Sequence, residues 1–104
     1  MDVEDTVCFG EFCLDFANAC VWRGSQPLLL TPKAFTVLQY LVEHAGRLVT
    51  KKELLSTVWA ETCVSDAVLK VNIREIRRVL QDNPITPRFI KTVHRRGYWF
   101  IGYE

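Results

Sequence analysis

The spacing of hydrophobic residues changes along the chain, and each change marks a different type of element. Residues 1–30 are rich in aromatic and β-branched side chains and alternate with a period of two, so that Phe12 and Leu14 share one face. Gly10 and the Gly-Ser-Gln-Pro run at 24–27 supply turns. This region predicts three or four short antiparallel strands.

Two helices are predicted next by a period of 3.6 residues. The first begins at Thr31, an N-cap type of residue followed by a proline that fits the first helical position, and it ends at Gly46. The second is short and begins at Thr50, which forms a capping box with Glu53. Both helices carry an apolar stripe and are expected to pack on a shared core.

A third helix begins at Ser65 and is expected to end near Asn83, because Pro84 cannot continue it. At 100° per residue its apolar side chains fall within about 40° of one another; they are Leu69, Ile73, Ile76 and Leu80. The opposite face carries Ala67, Val71, Arg74 and Arg78, flanked by Lys70 and Arg77. Asn72 lies off that face, at about 300°.

Residues 88–103 predict a β-hairpin. Two strand-like runs, RFIKTV and YWFIGY, flank a tip in which Gly97 is expected to adopt a positive φ. His94, Arg95 and Arg96 crowd this tip. Adjacent arginines repel each other in an ordinary turn, and they are favourable where they face phosphate or a narrow minor groove.

The order of short helix, tight connection and basic helix is typical of a helix-turn-helix, whose second helix enters the major groove of DNA. Arginine can bind guanine bidentately, asparagine can bind adenine, and apolar groups can contact the thymine methyl group. Solvated helix faces usually mix both signs of charge, whereas Glu75 is the only acid between Lys70 and Arg78. Double-stranded DNA is therefore the predicted partner, and a solvated face or a face that binds an acidic protein are the alternatives.

Length and charge agree with a single DNA-binding domain at 1–104. Residues 1–31 hold five acids and one base, net −4, whereas residues 32–104 hold twelve bases and seven acids, net +5. No apolar run reaches the roughly 20 residues of a membrane helix, and the acidic residues 1–20 do not form a signal peptide. We expect a cytoplasmic location and no direct membrane contact.

The four cysteines have irregular spacing and form no Cys-x-x-Cys pair; they are Cys8, Cys13, Cys20 and Cys63. We expect free thiols in a reducing compartment, with a metal or redox site and a disulfide as alternatives. No nucleophile–base–acid set and no Gly-rich phosphate loop is present, so neither an enzyme nor a cofactor is expected.

Three segments together resemble one known family. They are LTPKAFTVLQYLVEHAGRLVTKKELLSTVW, VSDAVLKVNIREIRRVL and IKTVHRRGYWF. The chain resembles the winged-helix DNA-binding domain of the OmpR/PhoB family of bacterial transcription regulators. The resemblance implies an α+β winged helix-turn-helix fold, with an N-terminal antiparallel β-sheet at 1–30, a three-helix core at 31–83 and a C-terminal hairpin wing at 88–103.

The resemblance also implies which residues face DNA. In the recognition helix these are Ala67, Lys70, Val71, Asn72, Arg74, Arg77 and Arg78, and in the wing they are Thr92, His94, Arg95, Arg96 and Tyr98. The loop at Ala60, Glu61, Thr62, Cys63 and Val64 corresponds to the segment with which relatives contact RNA polymerase. Relatives bind direct repeats in tandem, which implies monomers in solution that pair on DNA.

Three positions depart from the family pattern. Ala34 stands where a capping-box Glu is common, Ala67 stands where an Arg is common, and Glu75 stands where some relatives have a second Arg. The last two changes are expected to weaken DNA binding without changing the fold. Because the module begins at Met1 with no receiver domain before it, it is similar to the N-terminal modules of CadC- or ToxR-like regulators, and it is expected to be part of a longer protein.

Overall fold

A computed structural model describes residues 6–102. Its elements are β1 (Thr6–Phe9), β2 (Phe12–Asp15), β3 (Cys20–Arg23), β4 (Gln26–Leu28), α1 (Pro32–Glu43), β5 (Leu48–Thr50), α2 (Lys51–Val58), α3 (Asp66–Leu80), β6 (Ile90–Val93) and β7 (Gly97–Phe100). The predicted α+β winged helix-turn-helix fold is confirmed. Residues 1–5 of the predicted N-terminal sheet and Tyr103 of the predicted wing lie outside the described residues.

The first four strands form one antiparallel sheet in the order β1-β2-β3-β4. Alternation gives the sheet two kinds of cross-strand row. One row, facing the core, is Val7, Leu14, Val21 and Leu28, and the next row, on the outer face, is Cys8, Cys13, Trp22 and Pro27. Leu14 and Val21 are fully buried. The predicted strands are confirmed, and the described residues contain four of them.

Cys8 and Cys13 form a disulfide, so the expectation that these cysteines are free thiols was wrong. They are directly opposite each other in the β1–β2 ladder, which brings their Cα atoms to 4.0 Å. The sequence spacing does not show this pairing, because it depends on the register of the hairpin. Cys20 and Cys63 are free thiols.

The three helices occupy the predicted segments, but α1 ends at Glu43, before the predicted end at Gly46, and α3 ends at Leu80, before Asn83. Gln81, which follows α3, adopts a left-handed conformation with φ 54°. This residue, and not Pro84, therefore ends the helix. Thr50 caps α2 as predicted, since its hydroxyl accepts from the Glu53 backbone N–H at 3.0 Å. The Glu53 carboxylate in turn binds Arg47 and Tyr40, and these hydrogen bonds, with that from Arg47 the strongest, lower its pKa to about 2.

The wing belongs to a three-stranded sheet in the order β5-β7-β6, of which the sequence predicted only β6 and β7. Gly97 does not provide the positive φ of the tip; Arg95 does, with φ 65°. Gly97 is instead needed for close packing, because a Cβ there would lie 2.0 Å from the Val49 carbonyl oxygen. The predicted role of Gly97 was therefore wrong, and its actual role could not be seen without β5.

The core lies between α1, α2, α3 and the two sheets. The predicted stripe of α3 is part of it, since Leu69, Ile76 and Leu80 are fully buried and Ile73 is nearly so. Within residues 6–102 no helix is long and apolar enough to cross a membrane.

Candidate nucleic-acid interface

The face of α3 opposite the core is open to solvent and carries three cations. Ala67, Lys70, Val71, Arg74 and Arg78 are all exposed. Val71 is the apolar member of this set and is 57% exposed. Burial of the Leu69–Ile76 side fixes the rotation of the helix, so the sequence placed these five side chains on the correct face.

Asn72 does not belong to this face. It is only 9% exposed, and its Nδ2 donates to the Val68 carbonyl oxygen one turn earlier, at 2.8 Å. The structure therefore removes Asn72 from the exposed residues that were predicted to meet a DNA groove. The reason is the helical angle, which turns this side chain toward the core rather than toward solvent.

Arg77 is half-buried and joins the helix to the wing. Its Nη2 donates to the Ile90 carbonyl oxygen at 2.7 Å and to the Thr92 hydroxyl at 2.8 Å. Desolvation by burial lowers the pKa of its guanidinium group. The sequence grouped Arg77 with the groove-facing residues, but its side-chain hydrogen bonds are to Ile90 and Thr92 of β6, and they link β6 to α3.

The acidic side chains near this surface are bound by the protein itself. Glu75 accepts from the Thr31 backbone N–H at 2.7 Å and from the Thr31 hydroxyl at 3.1 Å. Asp82 accepts from the backbone N–H groups of Arg88 at 2.7 Å and Ile90 at 2.9 Å. Asp66 lies 3.7 Å from the Lys51 amine. These carboxylates thus contact α1, the start of the wing and α2, and the cations of α3 remain on the open face.

The wing tip presents three exposed side chains, His94, Arg95 and Arg96. A hydrogen bond from the Arg96 N–H to the Val93 carbonyl oxygen, 2.9 Å long, closes the turn. The Lys51 N–H donates to the Arg96 carbonyl oxygen at 3.0 Å, which fastens the tip to the start of α2. The backbone that carries the two exposed arginines is therefore fixed beside the start of α2.

Of the other predicted wing residues, one is accessible and one is not. Thr92 is exposed, although its hydroxyl is bound by Arg77. Tyr98 is only 4% exposed, and burial raises the pKa of its phenol. The Tyr98 ring thus supports the wing from the inside, and the structure does not place it on the open surface.

Two clefts flank the wing. One, of about 600 Å³, separates α3 from the wing; its lining includes Lys70, Arg74, Arg77, Arg78 and Thr92. The other, of about 850 Å³, lies between α2, the α2–α3 loop and the tip; Lys51, Lys52, Arg95 and Arg96 are among its lining residues. Cations line both sides of the hairpin, which is a suitable arrangement for a polyanion.

The α2–α3 loop borders the second cleft. Ala60, Glu61, Thr62 and Cys63 are exposed, and Val64 is half-buried against the core. Within residues 6–102, this loop included, no group of three or more His, Cys, Asp or Glu side chains is arranged to hold a metal ion.

A family described as "Transcriptional regulatory protein, C terminal" matches residues 25–100 of the chain. The chain belongs to this OmpR/PhoB-type family. The match covers α1 to β7 completely, and it begins at the end of the N-terminal sheet. The family assignment therefore includes both the cationic helix and the wing.

Solved structures of this family share the fold. The crystal structure of the Klebsiella pneumoniae RstA DNA-binding domain in complex with RstA box superposes with a TM-score of 0.81, at 31% identity, over 94% of this chain and 98% of that one. The DNA-binding domain of Escherichia coli CadC superposes with a TM-score of 0.82, at 27% identity, over 95% of this chain and 94% of that one.

Curated relatives of this family member are longer proteins. The KDP operon transcriptional regulatory protein KdpE of Escherichia coli is 31% identical over 94% of this chain, which spans 44% of KdpE. The transcriptional activator CadC of Escherichia coli is 30% identical over 91% of this chain, which spans 19% of CadC. The chain thus spans less than half the length of either relative.

Proposed function

We propose that this domain binds double-stranded DNA sequence-specifically and so regulates transcription, with α3 in the major groove and the wing in the adjacent minor groove. The observation that carries the proposal is the open face of α3, where Lys70, Arg74 and Arg78 are exposed while Glu75 is bound to Thr31. The related RstA domain has been crystallised with its DNA box, which supports the same use of this fold.

The exposed residues divide into two chemical roles. Arg74, near the middle of the exposed face, is suited to bidentate binding of guanine, and Val71 and Ala67 are suited to the thymine methyl group. Lys70 and Arg78 are suited to phosphate, which supplies affinity without sequence information. Asn72 is left out of this proposal because its side chain is buried.

The wing would add contacts in the minor groove. Arg95 and Arg96 are exposed at the tip, and a narrow minor groove attracts arginine. His94 and Thr92 are exposed beside them and can donate to phosphate or to base edges. Arg77 and Tyr98 would act indirectly, by holding the wing at a fixed distance from α3.

We also carry three family-level expectations to this chain as proposals. The exposed loop from Ala60 to Val64 would contact RNA polymerase, two copies would pair in tandem on direct repeats, and the domain would work in the cytoplasm. Relatives in this family are DNA-binding regulators and not enzymes, so no reaction is assigned.

The first test is a titration of duplex DNA by fluorescence anisotropy at several salt concentrations. Non-specific binding is expected with a dissociation constant of about 10⁻⁴–10⁻⁶ M, and its logarithm should change linearly with log salt. After selection of a preferred sequence, Arg74→Ala should cost about 1–3 kcal/mol and relax specificity. Arg23→Ala, an exposed arginine on the N-terminal sheet, is the matched control and should leave affinity unchanged.

A folded protein without salt-dependent binding would overturn the proposal. Circular dichroism would establish folding in that case, and the basic face of α3 would then be assigned to an acidic protein partner. Equal losses from Arg74→Ala and Arg23→Ala would mean that only net charge matters, and the assignment of α3 to the major groove would be wrong.

A further inference from the structure

We propose that the Cys8–Cys13 disulfide is a reversible thiol modification site whose redox state sets how firmly the wing is held. Its effect on DNA affinity rests on the function proposed above, whereas its effect on the wing does not. Two observations carry the inference, namely the accessibility of the pair and the packing of its sequence neighbours against the wing. A third argument, from the compartment in which a DNA-binding domain works, rests on the proposed function.

The disulfide is accessible to a reductant. It lies in the outer row of the N-terminal sheet, on the side opposite Leu14 and Val21. Cys8 is exposed and Cys13 is half-buried. A thiolate can therefore approach the sulfur of Cys8 from solvent without any opening of the core.

The hairpin closed by this disulfide rests against the base of the wing. Phe9 and Phe12, each next to one of the cysteines, contact Phe89, which directly precedes β6; their ring centroids are 5.2 and 5.7 Å from its own. Phe9 also lies 4.9 Å from Phe100, the last residue of β7. Both ends of the wing hairpin thus pack on the residues that flank the disulfide.

The turn between the two cysteines adds polar and close contacts to the same place. Glu11 accepts from Arg88 at 3.1 Å, and Arg88 lies over the Phe89 ring at 4.7 Å from its centroid. A Cβ at Gly10 would lie 3.1 Å from the Phe89 ring, so the turn approaches it closely. A looser β1–β2 hairpin would disturb these contacts before any others in the wing.

The chemistry is thiol–disulfide exchange with a dithiol reductant. One reductant thiolate attacks the Cys8 sulfur, the S–S bond breaks, and Cys13 leaves as a thiolate and takes up a proton. The second reductant thiolate then attacks the mixed disulfide and releases Cys8, so the reductant is oxidised to a disulfide and the protein gains two hydrogen atoms. Reoxidation uses a disulfide of the glutathione type: the thiolate of Cys8 attacks it and releases one thiol, and the thiolate of Cys13 then attacks the mixed disulfide and releases the second thiol, which restores the Cys8–Cys13 bond.

A permanent structural disulfide, which only stabilises the fold, agrees less well with these observations. Thiols in the compartments that hold DNA are kept reduced, and disulfides formed there are usually transient or redox-sensing. The two cysteines are also only 5 positions apart in sequence, so the cross-link closes a short loop and restricts the unfolded chain less than a long loop would. What the bond changes most is the rigidity of the hairpin on which the wing rests.

The experiment uses a Cys20→Ser/Cys63→Ser variant, which leaves the pair as its only cysteines. It is measured after dithiothreitol and after oxidised glutathione, with mass spectrometry to count the two hydrogens. Reduction should speed amide hydrogen exchange in β6 and β7 more than in α1, and should weaken DNA binding about fivefold or more, the low end of coupling between sites.

Two further variants connect the effect to the contacts above. Cys8→Ser/Cys13→Ser should show the wing exchange and DNA affinity of the reduced protein, and neither reagent should change them. Glu11→Gln keeps the disulfide but loses the charge pair with Arg88, so it should make the wing exchange faster in both states and reduce the difference between them.

Different failures have different meanings. If the pair never forms a disulfide by mass, or if full conversion leaves wing exchange unchanged, the inference is overturned. If wing exchange responds but DNA binds in neither state, the proposed function fails while the modification site stands. If DNA affinity responds equally in Cys8→Ser/Cys13→Ser, another group is responsible and the inference is overturned.

Discussion

The recognition helix and the wing present their cations in different ways. In α3, one buried stripe fixes the rotation of the helix, and Arg74 and Arg78 reach solvent as a direct result. In the wing, the position of Arg95 and Arg96 depends on contacts from distant segments, including the Lys51 N–H and strand β5. A helix face can therefore be set by local periodicity, whereas a wing has to be held by its neighbours.

Among the substitutions that test this difference between helix and wing, the one at Gly97 is expected to change stability most. A Cβ at this position would lie 2.0 Å from the Val49 carbonyl oxygen, so Gly97→Ala should separate β5 from β7 and lower the free energy of unfolding by about 3 kcal/mol. Urea denaturation would measure the loss. Gly24→Ala is the comparison variant, because Gly24 has a positive φ of 63° and no neighbour within 4 Å, so its substitution introduces backbone strain without a clash.

A loss in Gly97→Ala no larger than that in Gly24→Ala would show that the approach of β5 does not make Gly97 necessary. The wing would then depend on its own turn, and the contrast with α3 would disappear. We expect Gly24→Ala to cost about 1 kcal/mol, the strain of a left-handed residue with a side chain.

The next effect concerns two adjacent arginines of α3. Arg77→Ala removes the hydrogen bonds to the Ile90 carbonyl and the Thr92 hydroxyl, so it should lower stability by about 2 kcal/mol and speed exchange in β6. Arg78→Ala removes an exposed cation, so it should leave stability unchanged and reduce the salt slope of DNA binding by about one. Thermal unfolding and salt titration of both variants would separate these roles.

If the two arginines are equivalent, both variants will lose DNA affinity and neither will lose stability. That result would place Arg77 in the groove, as the family resemblance implied, and its contacts with β6 would be of little importance. Arg77→Lys adds a finer comparison, because it keeps the charge but cannot reproduce the paired geometry of the guanidinium group.

These contrasts also show what could be predicted from the sequence. The strands, the helices and the exposed face of α3 follow from periodicity and caps, which are local. Strand β5, the packing of Gly97 and the Cys8–Cys13 pair all depend on register between segments distant in sequence or paired across a hairpin. Local patterns carry no information on that register, so these features were missed or wrongly assigned.

The same limit applies to individual polar residues. Asn72, Arg77 and Tyr98 have the correct chemistry for DNA, but burial removes Asn72 and Tyr98 from the open surface, and Arg77 is engaged by the wing. The sequence contained one signal of this for Asn72, whose helical angle lies away from Arg74 and Arg78. Glu75 was expected to weaken DNA binding, and its contact with Thr31, 44 residues away, could not be predicted.

The third prediction concerns Glu75 and the contact by which α3 is positioned against α1. Glu75→Gln should lower stability by about 1 kcal/mol, because it removes a charged acceptor from the N-terminus of α1. It should not weaken non-specific DNA binding, since α3 becomes more positive. Glu61→Gln makes the same charge change on an exposed loop and should alter neither property; thermal unfolding and anisotropy would check both.

If the Glu75→Gln protein is as stable as the parent, the contact with Thr31 does not help to position α3. The helix would then be positioned by apolar packing alone, which would make the contrast with the wing stronger than we propose.

The smallest effect distinguishes the two arginines at the wing tip. Arg95 has φ 65°, a conformation that suits glycine, so Arg95→Gly should leave stability unchanged or raise it by up to about 1 kcal/mol. Arg96 has no positive φ, so Arg96→Gly should lower stability by about 0.5–1 kcal/mol, the entropic cost of glycine. Each variant loses one exposed cation and should lose a similar part of its salt-dependent DNA affinity. If Arg95→Gly is destabilised as much as Arg96→Gly, the tip does not strain Arg95, and its charge is displayed at no conformational cost.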